Sequence, residues 1–434
     1  MLSVVDFSCK PPNREYIGFG RGTSFEIVYC LLCSINAAGL VIQYPYEYDP
    51  EKRRLAKTYT KQKVVQAFII GAIIPSVFFL SIGFLGLSIP IRSFASNLLD
   101  SLHIPIYLSF LFGLLLLTVA PFSFYFGYVF EHKYGLSAQK LGEWLKDFLK
   151  TRGLLNVLLV PAGMGLHLIW SNSPFHWWII ASSCFFLILL LITTIFPALF
   201  VPFFWKTREY TDEARTRRLL EIAKKAGVSA VEKVQIVKES EKSKKANAAV
   251  IGIGRTRRIL IFDNLMNNFT SDEIDVIFAH EMGHHASMDI TRGILFSTIL
   301  AFPVFFVISI IIMPLANLVG VESLNDIAIF PVFAALFILI QMCIKPIHMA
   351  YSRTRERLAD QFALEVIRNP EAQISAFKRL ADIDLEDDSP HPLVEAWLYS
   401  HPSISRRIRF CETWKAQGNG NVKSAGHNRP KYLS

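Results

Sequence analysis

Three histidines and two acidic residues occupy the segment FAHEMGHHASMD, which runs from Phe278 to Asp289 directly after an apolar stretch. His280 and His284 are four residues apart and Glu281 follows the first of them, which gives the pattern H-E-x-x-H. On a helix this spacing directs both imidazoles from one face, so that they can bind a single Zn²⁺ while the glutamate takes a proton from the attacking water. The pattern arises by chance about one time in twenty in a chain of this length, so the polar end of a helix remains an alternative interpretation.

The residues around this motif predict that it lies on one helix over 271–288. Thr270 or Ser271 can cap the helix, and the acidic residues Asp272 and Glu273 favour the positive end of its dipole. Apolar residues at helical spacing supply a face for burial. The two histidines and the glutamate are therefore expected on the last turns of an amphipathic helix.

A third ligand is available in the segment SRTRERLAD, residues 352–360. Glu356 and Asp360 are four residues apart and share a helix face. Three protein ligands and one open position are typical of a catalytic zinc, so we expect Glu356 to bind the ion and Asp360 to orient a histidine ligand. From this segment alone, an exposed helix with ordinary surface pairs between its arginines and acids is an equal alternative.

Composition places these residues in a membrane protein. Of the 434 residues 52% are hydrophobic, 13% aromatic and only 19% charged, and the mean hydropathy is +0.35. The apolar residues fall in blocks long enough to cross about 30 Å of hydrocarbon as helices. Seven spans are predicted at 24–44, 64–91, 103–130, 154–170, 177–204, 294–319 and 327–350.

The net charge of +9 is explained by topology, and no nucleic-acid partner is expected. Lysine and arginine are concentrated in the loop EKRRLAKTYTKQK after the first span, in EHKYGLSAQKLGEWLKDFLKTRG after the third and in the long stretch after the fifth. The loops SNSPFH and VESLND carry neither residue. With seven spans, this bias predicts an N-terminus outside and a C-terminus in the cytoplasm.

The spans divide the chain into four predicted segments. Residues 1–205 hold spans one to five, 206–293 form a soluble segment with the H-E-x-x-H helix, 294–350 hold spans six and seven, and 351–434 complete the zinc site. The soluble segment opens with an amphipathic helix that is expected to end at Gly227. Three short strands, VQIV, AAVIGI and RILIF, follow it.

The whole arrangement resembles the type I CAAX prenyl endopeptidases, a family of integral-membrane zinc proteases. The likeness rests on the seven apolar spans, on H-E-x-x-H between spans five and six, and on S-R-x-x-E-x-x-A-D after span seven. It extends to NAAVIGIGRTRRILIFDNLM upstream of the zinc helix and to SHPSISRRI downstream. The resemblance implies an all-α polytopic fold, with seven transmembrane helices forming a barrel around a water-filled chamber. A mostly helical gluzincin-like zinc domain with a small sheet would close its cytoplasmic side.

The same resemblance assigns residues to the site. It implies that His280, His284 and Glu356 bind zinc and that Glu281 is the general base. The histidine of SHPS, His401, would stabilise the oxyanion of the tetrahedral intermediate.

Two further residues, Arg407 and Asn247, would contact the substrate or support the site by the same likeness. Without the resemblance, SHPS is read as a helix N-terminus with proline in the first turn. Asn247 alone is read as a turn residue.

The expected activity is zinc-dependent peptide hydrolysis near the C-terminus of prenylated CAAX-type proteins or peptides. Two alternatives remain open at this point: a broad-specificity quality-control protease for membrane proteins, and an inactive membrane scaffold or transporter. The expected partners are a peptide or prenylated protein and the lipid bilayer, and the sequence does not indicate an oligomeric state. Because the tail RPKYLS lacks a dilysine retrieval signal, a bacterial cytoplasmic membrane is favoured over the endoplasmic reticulum.

Overall fold

The computed structural model describes residues 44–227, 234–245, 248–251 and 258–418. Helices dominate the first half of these residues. In chain order they are α1 (Pro50–Phe68), α2 (Ile74–Phe84), α3 (Ser88–Leu98), α4 (His103–Phe124), α5 (Phe130–Lys133), α6 (Leu141–Asn172) and α7 (Trp177–Phe204).

The second half contains the sheet and the remaining helices. Its strands are β1 (Thr207–Glu209), β2 (Val234–Val237), β3 (Ala248–Ile251) and β4 (Arg258–Phe262). Its helices are α8 (Glu213–Lys225), α9 (Asp263–Asn268), α10 (Ser271–Ala286), α11 (Asp289–Leu318), α12 (Phe330–Ile367), α13 (Pro370–Ile383), α14 (Pro392–Leu398) and α15 (Ile404–Ala416).

Five helical stretches within the described residues are long and apolar enough to cross a membrane. They are Pro50–Phe84, Asp100–Lys133, Leu141–Asn172, Asp289–Leu318 and Ile327–Ile367. The predicted span 177–204 corresponds to α7, whose first part is a shorter apolar helix. The predicted span 24–44 lies outside the described residues, so the multi-pass helical fold is confirmed and the count of seven spans stays a prediction.

An aromatic cluster packs four of these helices together. Trp170 at the end of α6 lies with its ring centroid 6.2 Å from that of Trp177 in α7 and 5.8 Å from that of Phe333 in α12. Phe305 of α11 completes the cluster at 6.1 Å from Trp177. All four side chains are buried, so large rings fill the space where the helices converge.

The small sheet has the strand order β1-β2-β4-β3, with β2 and β4 parallel and the outer pairs antiparallel. The predicted strands VQIV and RILIF are therefore confirmed, and AAVIGI is confirmed over 248–251, since residues 252 and 253 lie outside the described residues. The helix expected over 206–227 is partly wrong, because residues 207–209 pair with β2 as strand β1. Asp212 caps the helix that follows by accepting a hydrogen bond from Arg215 N–H at 2.9 Å, and this fixes the start of α8 at Glu213.

The helix that carries H-E-x-x-H is anchored at its first turn. Thr270 Oγ1 accepts a hydrogen bond from the backbone N–H of Glu273, whose carboxylate in turn accepts one from Thr270 N–H. The buried Glu273 carboxylate also accepts hydrogen bonds from Ser375 Oγ and from the Arg379 guanidinium. These bonds tie the start of α10 to α13.

The same helix ends two residues earlier than predicted. Met288 has a positive φ of 49°, which breaks the α-helical path after Ala286. The chain then reverses into α11, whose first residue is Asp289.

Helix α10 packs on the long helix α12 with almost no space between the backbones. A Cβ atom added at Gly283 would lie 3.0 Å from Ala359 Cα and 3.1 Å from Phe362 Cβ. These separations are shorter than ordinary van der Waals contact between carbon atoms. A glycine at 283 therefore permits the approach of the two helices.

We expect Gly283→Ala to lower the thermal midpoint of the detergent-solubilised protein, because overpacking at this contact costs about 1–3 kcal/mol. Gly293→Ala is the matched control, since a Cβ there meets nothing within 4 Å. Thermal unfolding of both variants beside the wild type is the measurement. Equal midpoints for all three proteins would contradict the close approach.

Candidate metal centre and active site

Three donor atoms converge at the end of α10. His280 Nε2 lies 3.2 Å from His284 Nε2 and 3.2 Å from Glu356 Oε2, and His284 Nε2 lies 3.4 Å from Glu356 Oε1. Ligands that hold one ion tetrahedrally with bonds of about 2.0–2.1 Å are roughly 3.3 Å from one another. The spacing of the three atoms therefore fits a small divalent metal ion.

Two different helices supply these donors. His280 and His284 project from successive turns of α10, as their spacing predicts. Glu356 lies on α12, a helix of 38 residues that continues without a break past the end of the predicted span at 350. The membrane helix itself thus delivers the carboxylate to the histidine pair.

Asp360 orients the first histidine. Its Oδ1 lies 2.9 Å from His280 Nδ1, so a proton on Nδ1 is donated to the carboxylate and the Nε2 lone pair faces the metal position. Arg407 donates two hydrogen bonds to the same carboxylate, at 2.9 and 2.6 Å. The Arg407 guanidinium also lies 4.1 Å from the centroid of the Phe377 ring, so the buried carboxylate has a fixed cationic partner.

An equivalent arrangement serves the second histidine, and sequence reasoning missed it. His284 Nδ1 lies 2.8 Å from Asp289 Oδ2, and Arg355 donates to the other oxygen of that carboxylate. Asp289 stands at the end of the same twelve-residue segment as the motif. An acidic residue so close to His284 could have been considered from the sequence. A helix predicted to run to 288, however, gave no reason for Asp289 to face back towards His284.

Glu281 lies beside the donor atoms. Burial raises the pKa of its carboxyl above the ordinary range, and the neighbouring His280 and His284 oppose that shift. A glutamate with a raised pKa accepts a proton more readily at neutral pH than an exposed one. Glu281 can therefore act as a proton acceptor at this position.

One cavity of about 310 Å³ connects these groups. Its lining includes the three donor residues, Glu281, His401 and Arg407. Only a family resemblance indicated His401 and Arg407 from the sequence. Both line the same cavity as the residues of the H-E-x-x-H motif. Asn247 lies outside the described residues.

The donor set meets the requirements of a catalytic metal centre. It offers two imidazole nitrogen donors and one carboxylate, each histidine has a carboxylate at its other ring nitrogen, and the remaining side opens to the cavity. An exposed helix with surface ion pairs, the alternative for residues 352–360, does not describe Glu356 or the buried Asp360.

Comparison with known proteins agrees with this geometry. The family model described as "Peptidase family M48" matches residues 209–415, and the model "CAAX prenyl protease N-terminal, five membrane helices" matches residues 43–206. The chain belongs to peptidase family M48. It is a multi-pass membrane metallopeptidase, and the resemblance found in its sequence is confirmed.

Several curated proteins are similar to this M48 chain. CAAX prenyl protease 1 of Saccharomyces cerevisiae is 27% identical over 80% of this chain and 79% of its own length. The uncharacterized metalloprotease YhfN of Bacillus subtilis is 27% identical over 66% and 68%, respectively. The crystal structure of S. mikatae Ste24p covers 88% of this chain and 94% of its own, with a TM-score of 0.72 and 22% identity, which supports the fold.

We expect Asp289→Asn to weaken metal affinity by about tenfold to a hundredfold, and Asp360→Asn to do the same, because each removes the carboxylate that orients a histidine ligand. The measurement is metal retained by the purified M48 protein during titration with a chelator. Asp272→Asn, an exposed change on α10, the helix that carries both histidines, is the control. Retention of metal by both buried-site variants at the control level would contradict the orienting role.

Proposed function

We propose that the chain is a zinc-dependent membrane endopeptidase that hydrolyses peptide bonds near the C-terminus of prenylated CAAX-type proteins or peptides. The observation that carries the proposal is the convergence of His280, His284 and Glu356 donor atoms within 3.4 Å, beside Glu281. Two imidazoles and one carboxylate with an open position are a donor set typical of catalytic Zn²⁺. When bound, the ion would polarise the scissile carbonyl and make a nearby water more acidic.

Glu281 performs the proton transfers in this proposal. Its carboxylate takes a proton from the attacking water and returns it to the leaving amine. The same carboxyl group must accept the proton and then hold it until the peptide bond breaks.

His401 and Arg407 have different roles in this proposal. His401 lines the cavity and is proposed to donate a hydrogen bond to the oxygen that becomes negative in the transition state. Arg407 supports the site through Asp360, with which it makes two hydrogen bonds. Asn247 is proposed to contact the substrate on the strength of the family resemblance.

The position of the site relative to the bilayer favours a membrane-attached substrate. Glu356 follows the predicted end of its span at 350 by six residues, which is about 9 Å along a helix. A prenyl chain buried in the bilayer holds its cysteine at the membrane surface, so the adjoining peptide bonds lie at the depth of the cavity. Ile277 and Leu380 form part of the cavity lining and suit the aliphatic residues of a CAAX sequence.

The domain division and topology follow from the same proposal. Residues 206–293 and 351–434 together build the soluble zinc domain, and 1–205 and 294–350 hold the membrane spans. Because the charged loops on the zinc-domain side are rich in lysine and arginine, we place this side and the C-terminus in the cytoplasm and the N-terminus outside. The bacterial cytoplasmic membrane is our preferred location.

We expect Glu281→Gln to retain metal but to lose hydrolysis by a factor on the order of 10²–10⁴, because the amide cannot accept the proton of the attacking water. Metal content and turnover of one purified sample are the two measurements. A variant with wild-type turnover would refute the proton-transfer role.

We expect the purified wild type to cleave a farnesylated CAAX peptide and to leave its unprenylated twin largely intact. The farnesyl group would place the peptide at the depth of the site, and Glu281→Gln supplies the inactive control. Equal cleavage of both peptides, lost in the variant, would contradict prenyl specificity. It would support the broad-specificity membrane protease instead.

A further inference from the structure

Glu386 is an acidic residue near the cavity that takes no part in the proposed mechanism. The Oε1 atom of Glu386 is buried and forms no hydrogen bond to any described residue. It lies 3.6 Å from His401 Nδ1, and the two side chains are only 20% and 30% exposed. A partly buried carboxylate at this distance from an imidazole forms an ion pair or shares a proton with it.

The backbone around Glu386 holds its carboxylate in place. Arg53 of α1 donates a hydrogen bond to the Glu386 carbonyl oxygen at 2.6 Å, and Glu386 N–H donates to Ala381 O at 2.9 Å. The preceding residue, Leu385, is buried and has a φ of 51°. A left-handed conformation is costly for leucine, and such strain is concentrated at functional positions.

His401 is held from its other side. Arg353 of α12 donates hydrogen bonds to the carbonyl oxygens of Glu395 and Tyr399, at 2.9 and 3.0 Å. The Tyr399 ring meets the His401 ring edge to face at 5.9 Å. The segment that carries His401 is therefore fixed to the same helix that supplies Glu356.

We propose that Glu386 is the positioning residue for His401: it binds the Nδ1 edge of the imidazole, so that the Nε2 edge presents a hydrogen to the cavity. This inference rests on the proposed function, in which His401 stabilises the oxyanion. His401 Nδ1 lies 3.4 Å from Pro402 O, at the long limit of a hydrogen bond, and 3.6 Å from Glu386 Oε1. Catalytic hydrogen bonds are often long before substrate binds, so a small closure would make the charged carboxylate the stronger partner of Nδ1.

Two arrangements of the protons put a hydrogen on Nε2. If both ring nitrogens carry hydrogen, His401 is an imidazolium beside the Glu386 carboxylate. If Glu386 holds the proton instead, the glutamic acid donates to Nδ1 of a neutral ring. Nε2 carries a hydrogen in both of these arrangements, whereas a neutral ring with its single hydrogen on Nδ1, as described for His280, would offer no donor to the oxyanion.

The surroundings of Glu386 allow both states. Burial raises the pKa of its carboxyl, and the nearby charges of His401, Arg407 and Arg53 oppose that shift. Asp387, in contrast, raises it further. Because burial and neighbouring cations have opposing effects on its pKa, the Glu386 carboxyl can share a proton with an imidazole more readily than an exposed glutamate can.

The first test is steady-state hydrolysis of whichever peptide the wild type cleaves. We expect Glu386→Gln to lower kcat by roughly tenfold to a hundredfold, with little change in KM, because the interaction that it disturbs is made in the transition state. Glu386→Asp should recover part of the loss. Asp388→Asn, a charge removal two residues away in the same loop, is the control and should behave as wild type.

A double-mutant cycle separates positioning from general damage. In a His401→Ala background, adding Glu386→Gln should cost nothing further, because the residue through which Glu386 acts is absent. Losses that multiply, or an effect on KM alone, would overturn the proposal. Equal loss in the Asp388→Asn control would do the same.

A spectroscopic measurement keeps this inference independent of the substrate. If the wild type hydrolyses neither peptide, the proposed function fails, yet ¹⁵N NMR of labelled histidine still reports which nitrogen of His401 carries hydrogen. The resonance is assigned by its loss in His401→Gln. We expect hydrogen on Nε2 in the wild type and a mixture of tautomers in Glu386→Gln, and an unchanged spectrum would refute the pairing.

Discussion

The metal centre depends on the close contact of α10 with α12. Because Gly283 has no side chain, Ala359 lies against the α10 backbone. This contact brings Glu356 and Asp360 of α12 to the two histidines. Glu356, one turn earlier on α12, meets both Nε2 atoms, and Asp360, the next residue, meets His280 Nδ1. One helix–helix distance thus sets the positions of the carboxylate ligand and of the carboxylate that orients its histidine partner.

The two histidine ligands are supported in parallel by charges that balance. His280 is backed by Asp360 and Arg407, and His284 by Asp289 and Arg355. A buried carboxylate without a cation would be costly, and each arginine removes that cost while its geometry fixes the carboxylate plane. The supporting charges cancel, which leaves the charge of Glu356 to offset part of the charge on the ion.

The sequence predicted the parts of the site that local spacing encodes. Four-residue spacing on a helix is enough to place His280 beside His284, and apolar blocks predicted the five described helical stretches of membrane length. His401 needed a family resemblance, because its approach to the motif depends on how the chain returns after α12. Asp289 and Glu386 were not found, since a break at Met288 and a left-handed Leu385 orient them, and neither follows from residue propensities.

Helix α11 begins at Asp289, the residue that orients His284, and α12 carries Glu356, so both ends of the metal centre belong to helices of membrane length. An ion held between them binds the assembled pair more tightly than separated helices. By mass action, ion binding then contributes to the free energy that keeps α10, α11 and α12 together. Metal occupancy and assembly of the bilayer-embedded helices are therefore thermodynamically linked.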